Sequence, residues 1–310
     1  MKIAVIGAGI TGLYLSWKLS LRGYKVTIFE QKRGVGKECC SGLFSHRILD
    51  FIPQSKEIIE KEINKTIIHF PKKSIEIIFN KPFFIINHFI LDNILLNQVK
   101  QFQIEIILGS KVKKIPQGFN RVIGCDGADS IIRKELHLPE PRLYLGIQGF
   151  SDGKTNQNYV ETWPTHSGFI WKIPRTNQTE YGIMEAVPEA KKIFQKFLNK
   201  NRISLNNQKA ALIPNHIKPI IPKKSNITLC GDAAGVTKPW SGGGVIWSLI
   251  SADILLRNFP NFVKYRKEMN NFFIPKLIRS NIIKKSVYFF GKRMPYFLPK
   301  KYTIESDFLF

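Results

Sequence analysis

A glycine-spaced turn, Gly7-Ala8-Gly9-Ile10-Thr11-Gly12, follows an apolar run and precedes an apolar-periodic stretch. That setting leaves the start of the chain one local fold. Lys2–Ile6 suits a parallel strand buried on both faces. Gly7 and Gly9 allow a tight turn and a close backbone approach to a pyrophosphate, and Gly12 allows the next helix to pack on the strand. Leu13, Tyr14, Trp17, Leu19 and Leu21 supply the apolar positions of that helix, which stops near Gly23. Lys25–Phe29 is a second strand, and Glu30 at its end can accept hydrogen bonds from ribose hydroxyls. Ile10 and Thr11 open the helix whose N-terminal N–H groups and dipole face the phosphates.

Two distant segments complete a set. Cys125-Asp126-Gly127-Ala128-Asp129-Ser130 follows a short apolar run, and so does Gly231-Asp232-Ala233-Ala234-Gly235, with Ser241-Gly242-Gly243-Gly244 behind it. In this order the three segments point to FAD, held by a domain assembled from separated pieces of chain. The N–H groups of Gly243 and Gly244, at the start of a helix opening with Val245, can stabilise negative charge on the reduced ring.

A chain of 310 residues can bury a sizeable core and form two domains. Its 47 Lys and Arg against 23 Asp and Glu give a net charge of +24, which suits an anionic partner. Genome base composition can produce the same bias toward Ile, Asn and Lys. No nucleic-acid motif accompanies the charge, and a nucleic-acid partner is not expected. Cys39, Cys40, Cys125 and Cys230 show neither metal nor disulfide spacing, and Cys125 and Cys230 end buried strands. His46, His69, His137, His166 and His216 show no convincing partner pattern. No apolar run is long enough to span a membrane, and the chain begins directly on a strand, so a cytoplasmic, reducing setting is expected.

The expected class is α/β: a discontinuous Rossmann-like FAD-binding domain from 1–62, 86–140 and 223–260, plus an antiparallel-sheet substrate domain from 63–85 and 141–222. Strands are expected at 63–70 and 74–79 around Pro71-Lys72-Lys73, at 104–108, 121–124 and 226–230, and several across 141–187. Helices are expected at 89–99, 129–136, 189–198 and 242–256. Residues 261–310 form a basic, aromatic C-terminal segment, either a cover for the cofactor domain or a contact with an anionic membrane surface.

On these segments the chain resembles the FAD-dependent geranylgeranyl reductases, within the flavoprotein group that includes the aromatic hydroxylases. Narrower motifs carry the resemblance further, over roughly residues 1–256. Lys37-Glu38-Cys39-Cys40-Ser41-Gly42-Leu43 is similar to the reductases' cysteine–glycine motif, and Phe169-Ile170-Trp171-Lys172-Ile173-Pro174 to their Tyr-x-Trp-x-Phe-Pro substrate motif. The chain departs from the pattern at Phe169, where Tyr is usual, at Ile173, where Phe is usual, and at His88, where Arg is common. It is also short beyond residue 256. The Phe-x-Trp-x-Ile-Pro stretch is similar to the Trp-x-Trp-x-Ile-Pro motif of flavin halogenases as well.

The resemblance implies non-covalent FAD, with Asp232 bonding its ribityl chain and Gly42, His88, Val112 and Asp126 added to its contacts. It implies reduction of C=C bonds in geranylgeranyl chains, on membrane lipid precursors of archaeal type. Trp163, Phe169, Trp171 and Pro174 would then line the substrate, with Trp171 facing charge that develops on the alkene. Cys39 or Cys40 would serve proton delivery, the motif aligning with either. NAD(P)H and an acidic ferredoxin both suit as electron donor. The expected partners are an isoprenoid lipid and an anionic membrane surface, met by a monomer at the inner face of the cell membrane. A halogenase or monooxygenase on the same scaffold, and a prenyl-binding protein without turnover, are the alternatives.

Overall fold

The computed structural model describes residues 1–153, 155–305 and 307. The chain divides into two compact units, each built from three stretches: 1–37, 88–142 and 214–278 in the first, 38–87, 143–213 and 279–310 in the second.

The first unit holds a five-stranded sheet in the order Ile227–Leu229, Arg121–Gly124, Lys2–Ile6, Lys25–Phe29, Glu105–Ile107, every pair parallel. Burial on both faces explains why the interiors of its strands are largely apolar, with Ile3, Ala4, Val5, Ile28 and Ile123 inaccessible. Helix Ile10–Ser20 packs against His88–Lys100 and Val245–Asn258. The 32-residue helix Phe262–Arg293 begins in this unit and buries Tyr265, Met269, Phe273 and Leu277 along one stripe. The Tyr265 hydroxyl donates to the Leu229 carbonyl at 3.0 Å, and Trp247 packs edgewise on Trp240 and tilted on Phe273.

The second unit is a nine-stranded sheet in the order Asn206–Asn215, Arg142–Asp152, Gln178–Ala186, Phe169–Pro174, Tyr159–Pro164, Ile59–Phe70, Lys73–Ile86, Lys301–Ile304, with Leu43–Ser45 also pairing with Lys73–Ile86. It is largely antiparallel, as expected, but two pairings are parallel: Ile59–Phe70 with Tyr159–Pro164, and Lys73–Ile86 with Lys301–Ile304. Trp171, Ile173, Met184, Ile63 and Ile85 form its main core cluster. Ile170, Ile183, Phe194 and Leu198 form a second cluster, which takes in helix Ala190–Lys200.

The unit boundaries depart from the sequence expectation in three places. Residues 38–62 join the second unit rather than the first, because Leu43–Ser45 and the start of Ile59–Phe70 pair into its sheet. Residues 214–222 join the first unit, where the Ile220 N–H donates to the Ala234 carbonyl at 2.9 Å. The C-terminal segment is no separate element: 261–278 belongs to the first unit, and Lys301–Ile304 is a strand of the second. Strand Lys73–Ile86 also runs beyond its expected end at Phe79. Pairing breaks between Ile63↔Phe83 and Lys65↔Ile78, and Pro82, which lacks a backbone donor, sits in that irregularity. Among the described residues, no helix is long and apolar enough to cross a membrane, and no cluster of three or more metal-ligating side chains occurs.

Candidate functional site

In the first unit, three separated segments meet beyond the C-terminal ends of the parallel strands. Gly7 has φ +102°, and a Cβ there would lie 2.4 Å from the Cys125 carbonyl oxygen, so the first segment presses directly on the second. Gly12 needs its glycine for the helix: a Cβ would lie 2.0 Å from the Gly7 carbonyl oxygen. Gly9 is different. A Cβ there would meet nothing within 4 Å, which leaves open space above the turn. Helix Ile10–Ser20 starts on Gly9 with no side-chain cap and no acid in its first turn, so its N–H groups and dipole are presented without a local anion. Ile10 and Thr11 are buried at that helix start.

Glu30 holds this turn from below. Its carboxylate accepts from the Ala8 N–H at 2.7 Å and the Lys32 N–H at 2.8 Å. A carboxylate has further lone pairs, so ribose hydroxyls remain compatible with both bonds. The Glu30 carbonyl accepts from the Ser110 N–H at 2.8 Å, and half-buried Val112 follows two residues later in the chain.

Asp126 lies just past strand Arg121–Gly124. One of its oxygens accepts the Ile132 N–H at 3.2 Å, and burial pushes its carboxyl above the ordinary range. Ser130 caps helix Ile131–Glu135 through the Arg133 N–H. Arg133 itself is fully buried, and sequence inspection missed it. Its guanidinium donates to the carbonyls of Ala128 at 2.6 Å and Ala233 at 3.0 Å, and pairs with Glu140 at 2.6 Å. It thereby ties the second segment to the third.

In the third segment, Gly231 has φ +64°, and a Cβ would lie 2.7 Å from the Thr11 hydroxyl, which brings the third segment against the first. Asp232 stands over the start of helix Val245–Asn258: a Cβ on Gly244 would lie 2.6 Å from its carboxylate. The Lys37 ammonium is 3.9 Å from Asp232 and the Ser248 hydroxyl 3.5 Å. The Gly243 N–H is turned to the Ser241 hydroxyl at 3.3 Å, while Gly244 and half-buried Val245 form the helix start. His88 opens helix His88–Lys100, buried, with Nε2 3.3 Å from Asp92. Asp92 in turn accepts the Lys37 N–H at 2.9 Å. Lys37 thus joins the loop after the second strand to the His88–Asp92 pair and to Asp232.

The residues present therefore fit a dinucleotide. The cradle is glycine-lined, open above Gly9, bounded by two acids able to accept hydroxyl donors, and headed by two helix N-termini.

The second unit carries the two narrower motifs. Gly42 has φ +61°, and a Cβ would lie 2.2 Å from the Ile86 carbonyl oxygen, so packing within this unit accounts for the glycine. Cys39 and Cys40 are half-buried. The Gly42 N–H donates to the Cys40 sulfur at 3.4 Å, and Gln148 donates to the Cys40 carbonyl at 3.3 Å. Arg175 grips the same loop, its guanidinium donating to the Ser41 carbonyl at 2.5 Å. It also pairs with buried Glu180, which accepts the Trp171 indole N–H at 2.9 Å. Burial pushes the Glu180 carboxyl up, against the pull of Arg175. Neither Arg175 nor Glu180 was singled out from sequence; the signal available was a charged residue directly after Pro174 and another in an apolar alternation.

The aromatic pair expected at the substrate is divided by the sheet. Trp171 is 9% exposed in the main core cluster, flat against Gly182, where a Cβ would lie 2.2 Å from its ring. Trp163 packs with the second cluster, stacked on His69 at 5.0 Å and against Phe197 at 5.0 Å. Trp163 is paired with Ile170, the neighbour of Trp171, so the strand alternation sends the two indoles to opposite faces. Phe169 accompanies Trp171 at 5.9 Å, and Pro174 is buried at the strand end.

A family model described as an NAD(P)-binding Rossmann-like domain matches residues 5–51. An uncharacterized protein of Methanosarcina barkeri is 23% identical over 347 residues, spanning 99% of this chain and 87% of its own. Among solved structures, a geranylgeranyl bacteriochlorophyll reductase-like protein from Thermoplasma acidophilum aligns with a TM-score of 0.79 at 17% identity, covering 92% of this chain and 87% of its own. A tryptophan 6-halogenase from Streptomyces toxytricini aligns with a TM-score of 0.70 at 13% identity, covering 89% of this chain and 76% of its own. The chain thus has the fold of the FAD-dependent two-domain flavoproteins, as its three separated segments and its resemblance to the geranylgeranyl reductases led one to expect.

Proposed function

We propose that this chain is a flavoprotein that binds FAD non-covalently in the first unit and reduces C=C bonds of geranylgeranyl chains on a lipid precursor. The observation that carries the cofactor assignment is the meeting of the three segments: Gly7 on Cys125, Thr11 on Gly231, Arg133 on Ala233. FAD, when bound, would supply the hydride equivalent for the alkene. The chain's own residues have the remaining work. Gly9 and the start of helix Ile10–Ser20 would receive the pyrophosphate, Glu30 the ribose, and Asp232 the ribityl hydroxyls. The start of helix Val245–Asn258 would favour negative charge nearby.

For the reaction, support comes from the Cys39-Cys40-Ser41-Gly42 loop, whose motif is similar to that of the reductases. Arg175, Gln148 and the Gly42 N–H all bond to this loop and tie it down. A tethered loop suits a thiol that must hold or pass a proton at a defined place. The electron donor, NAD(P)H or an acidic ferredoxin, is part of the same proposal. The experiment is mass spectrometry of a geranylgeranyl lipid incubated with the reduced protein. Each double bond that gains a hydride and a proton adds about two mass units. A hydroxylated or halogenated product in air would instead favour the second reading, an oxygen-activating flavoenzyme, which the shared fold with the tryptophan halogenase keeps in view.

A further inference from the structure

The first unit carries a second concavity, at the other end of its sheet. Arg121 is the first residue of strand Arg121–Gly124, and the dinucleotide segments follow the last residues of such strands. Three residue steps along a strand separate the two ends by about 10 Å. At this N-terminal end lies a cavity of about 850 Å³, lined by Arg121, Lys264, Arg266, Lys267, Asn270 and Asn271 among others. That volume is of small-ligand size. Its lining has four cations and no carboxylate.

Helix periodicity explains the lining. Phe262, Tyr265, Met269 and Phe273 turn into the core, which leaves Lys264, Lys267 and Asn271 on the face opposite the stripe and Arg266 with Asn270 on the flank that adjoins it. The only acid of this helix, Glu268, is held by Arg257 at 2.6 Å and by Asn258. Among the described residues, no carboxylate lies within ion-pair distance of Arg121, Lys264, Arg266 or Lys267. Arg121 is also fixed. Its Nε donates to the Pro260 carbonyl at 3.1 Å, one terminal nitrogen donates to the Asn120 carbonyl at 2.8 Å, and the guanidinium lies over the Phe262 ring at 5.7 Å. One terminal nitrogen remains for a ligand. Four like charges around one cavity repel one another unless an anion joins them. Guanidinium, ammonium and amide N–H donors together match an oxyanion with several acceptor oxygens.

We infer that this cavity, separate from the dinucleotide turn, binds a small ligand through a phosphate group. Two sources share that chemistry, a free phosphorylated metabolite and the headgroup of a phosphomonoester lipid. The inference does not depend on the flavin assignment, because its residues belong to neither Gly9 nor Asp232.

The test is calorimetric titration of the full-length protein, with FAD in excess to fill the dinucleotide turn. The probes are inorganic pyrophosphate and ADP for the free source, and vesicles of phosphatidic acid against phosphatidylglycerol for the headgroup. Saturable binding of a soluble probe, or preference for phosphatidic acid, is expected, with a loss of tenfold or more in Arg266→Gln/Lys267→Gln. Among the described residues these two side chains make no hydrogen bond or ion pair, so the variant keeps its unfolding transition. Gly9→Val should leave this binding unchanged while abolishing FAD binding, which separates failure of this site from failure of the flavin reading. Absence of saturable binding of every probe at low salt would overturn the inference. So would equal binding by wild type and the double variant.

Discussion

The guanidinium of Arg133 donates to the carbonyl of Ala233 at 3.0 Å, across a hundred residues of sequence. Because the same side chain holds the Ala128 carbonyl, it clamps the Asp126 turn to the Asp232 turn from beneath the cradle. Arg133→Met removes the donors and leaves the buried Ala233 carbonyl and the half-buried Ala128 carbonyl short of partners. Each buried group left unsatisfied costs about 1–3 kcal/mol, so a loss of roughly 2–4 kcal/mol is expected in urea unfolding. A loss below about 1 kcal/mol would mean that water or a neighbour takes over these bonds.

The glycines of the turn should separate by role. Gly12→Val drives a side chain into the Gly7 carbonyl and should prevent folding of the first unit. Gly9→Val has room in the protein itself, so it should fold with an unaltered melting transition yet fail to retain flavin. Far-UV circular dichroism and visible absorbance together read both outcomes. A yellow, folded Gly9→Val would move the pyrophosphate elsewhere.

Much of this cradle was legible in the sequence because each of its parts is local. A strand, a glycine turn and a helix start lie within a few residues of one another, and so do the Asp126 and Asp232 turns. What stayed hidden depends on partners far along the chain. Arg133 reads as a surface charge on a short helix until Ala233 is beside it. Arg175 and Glu180 look like ordinary polar positions until they close on Trp171 and Ser41. Strand Asn206–Asn215 is polar in its first half and mostly exposed, an edge strand with no hydrophobic alternation to announce it. Lys301–Ile304 is a strand only because it pairs with Lys73–Ile86. Trp171 and Trp163 are both expected at the substrate as aromatic residues, whereas period-two alternation puts them on opposite faces.

That placement changes what Trp171 variants should do. Trp171→Ala opens a cavity in the main core of the second unit and should cost about 3–5 kcal/mol, rather than act on turnover alone. Trp171→Phe keeps most of the volume and loses the indole donor to Glu180, for a cost of about 1–3 kcal/mol. Its further effect should appear in the Ser41 loop, since Glu180 also anchors Arg175. Hydrogen exchange of residues 39–42 reads this: faster exchange in Trp171→Phe supports the coupling, and unchanged exchange removes it. Cys39→Ala and Cys40→Ala should then differ in turnover, one damaging and one nearly silent.

Glu185 supplies a pH dependence. Burial works against its ionisation, but hydrogen bonds from Thr165 and from the N–H groups of Ala186, Ser167 and Gly168 outweigh that and hold the carboxyl below its ordinary value of 4.5. A depressed folded-state pKa means that the unfolded chain takes up the proton first as pH falls. The stabilisation is present above pH 4.5 and disappears as pH drops through the lower folded value. Glu185→Gln should therefore lower the melting temperature at pH 7 and narrow its gap from wild type toward pH 3. A gap that stays constant between the two would show that the carboxylate contributes no such linkage.

The basic C-terminal stretch gives the last prediction. Tyr296 is 83% exposed and Phe297 77%, adjacent at a turn just past the end of helix Phe262–Arg293. Arg293 lies over the Phe289 ring at 5.1 Å, and Lys300 and Lys301 follow the turn. Two exposed aromatics with basic residues on either side of them in the chain suit an anionic bilayer surface, where the rings enter the interface and the charges meet headgroups. We propose that surface as the partner of this turn. Lys284 and Lys292 are poor handles for the test, because they donate to the carbonyls of Ser167 and Thr165 within the second unit. Lys285, Arg293, Lys300 and Lys301 are better. Each contributes on the order of 1 kcal/mol near such a surface, falling off within about 8 Å at physiological salt. Sedimentation with phosphatidylglycerol vesicles should show binding that high salt removes. Reversing these four charges to Glu should release the protein with its fold and flavin spectrum intact, and Tyr296→Ser/Phe297→Ser should weaken binding without changing its salt dependence. Equal binding to neutral and anionic vesicles would refute the electrostatic argument and return the +24 charge to genome composition or an acidic redox partner.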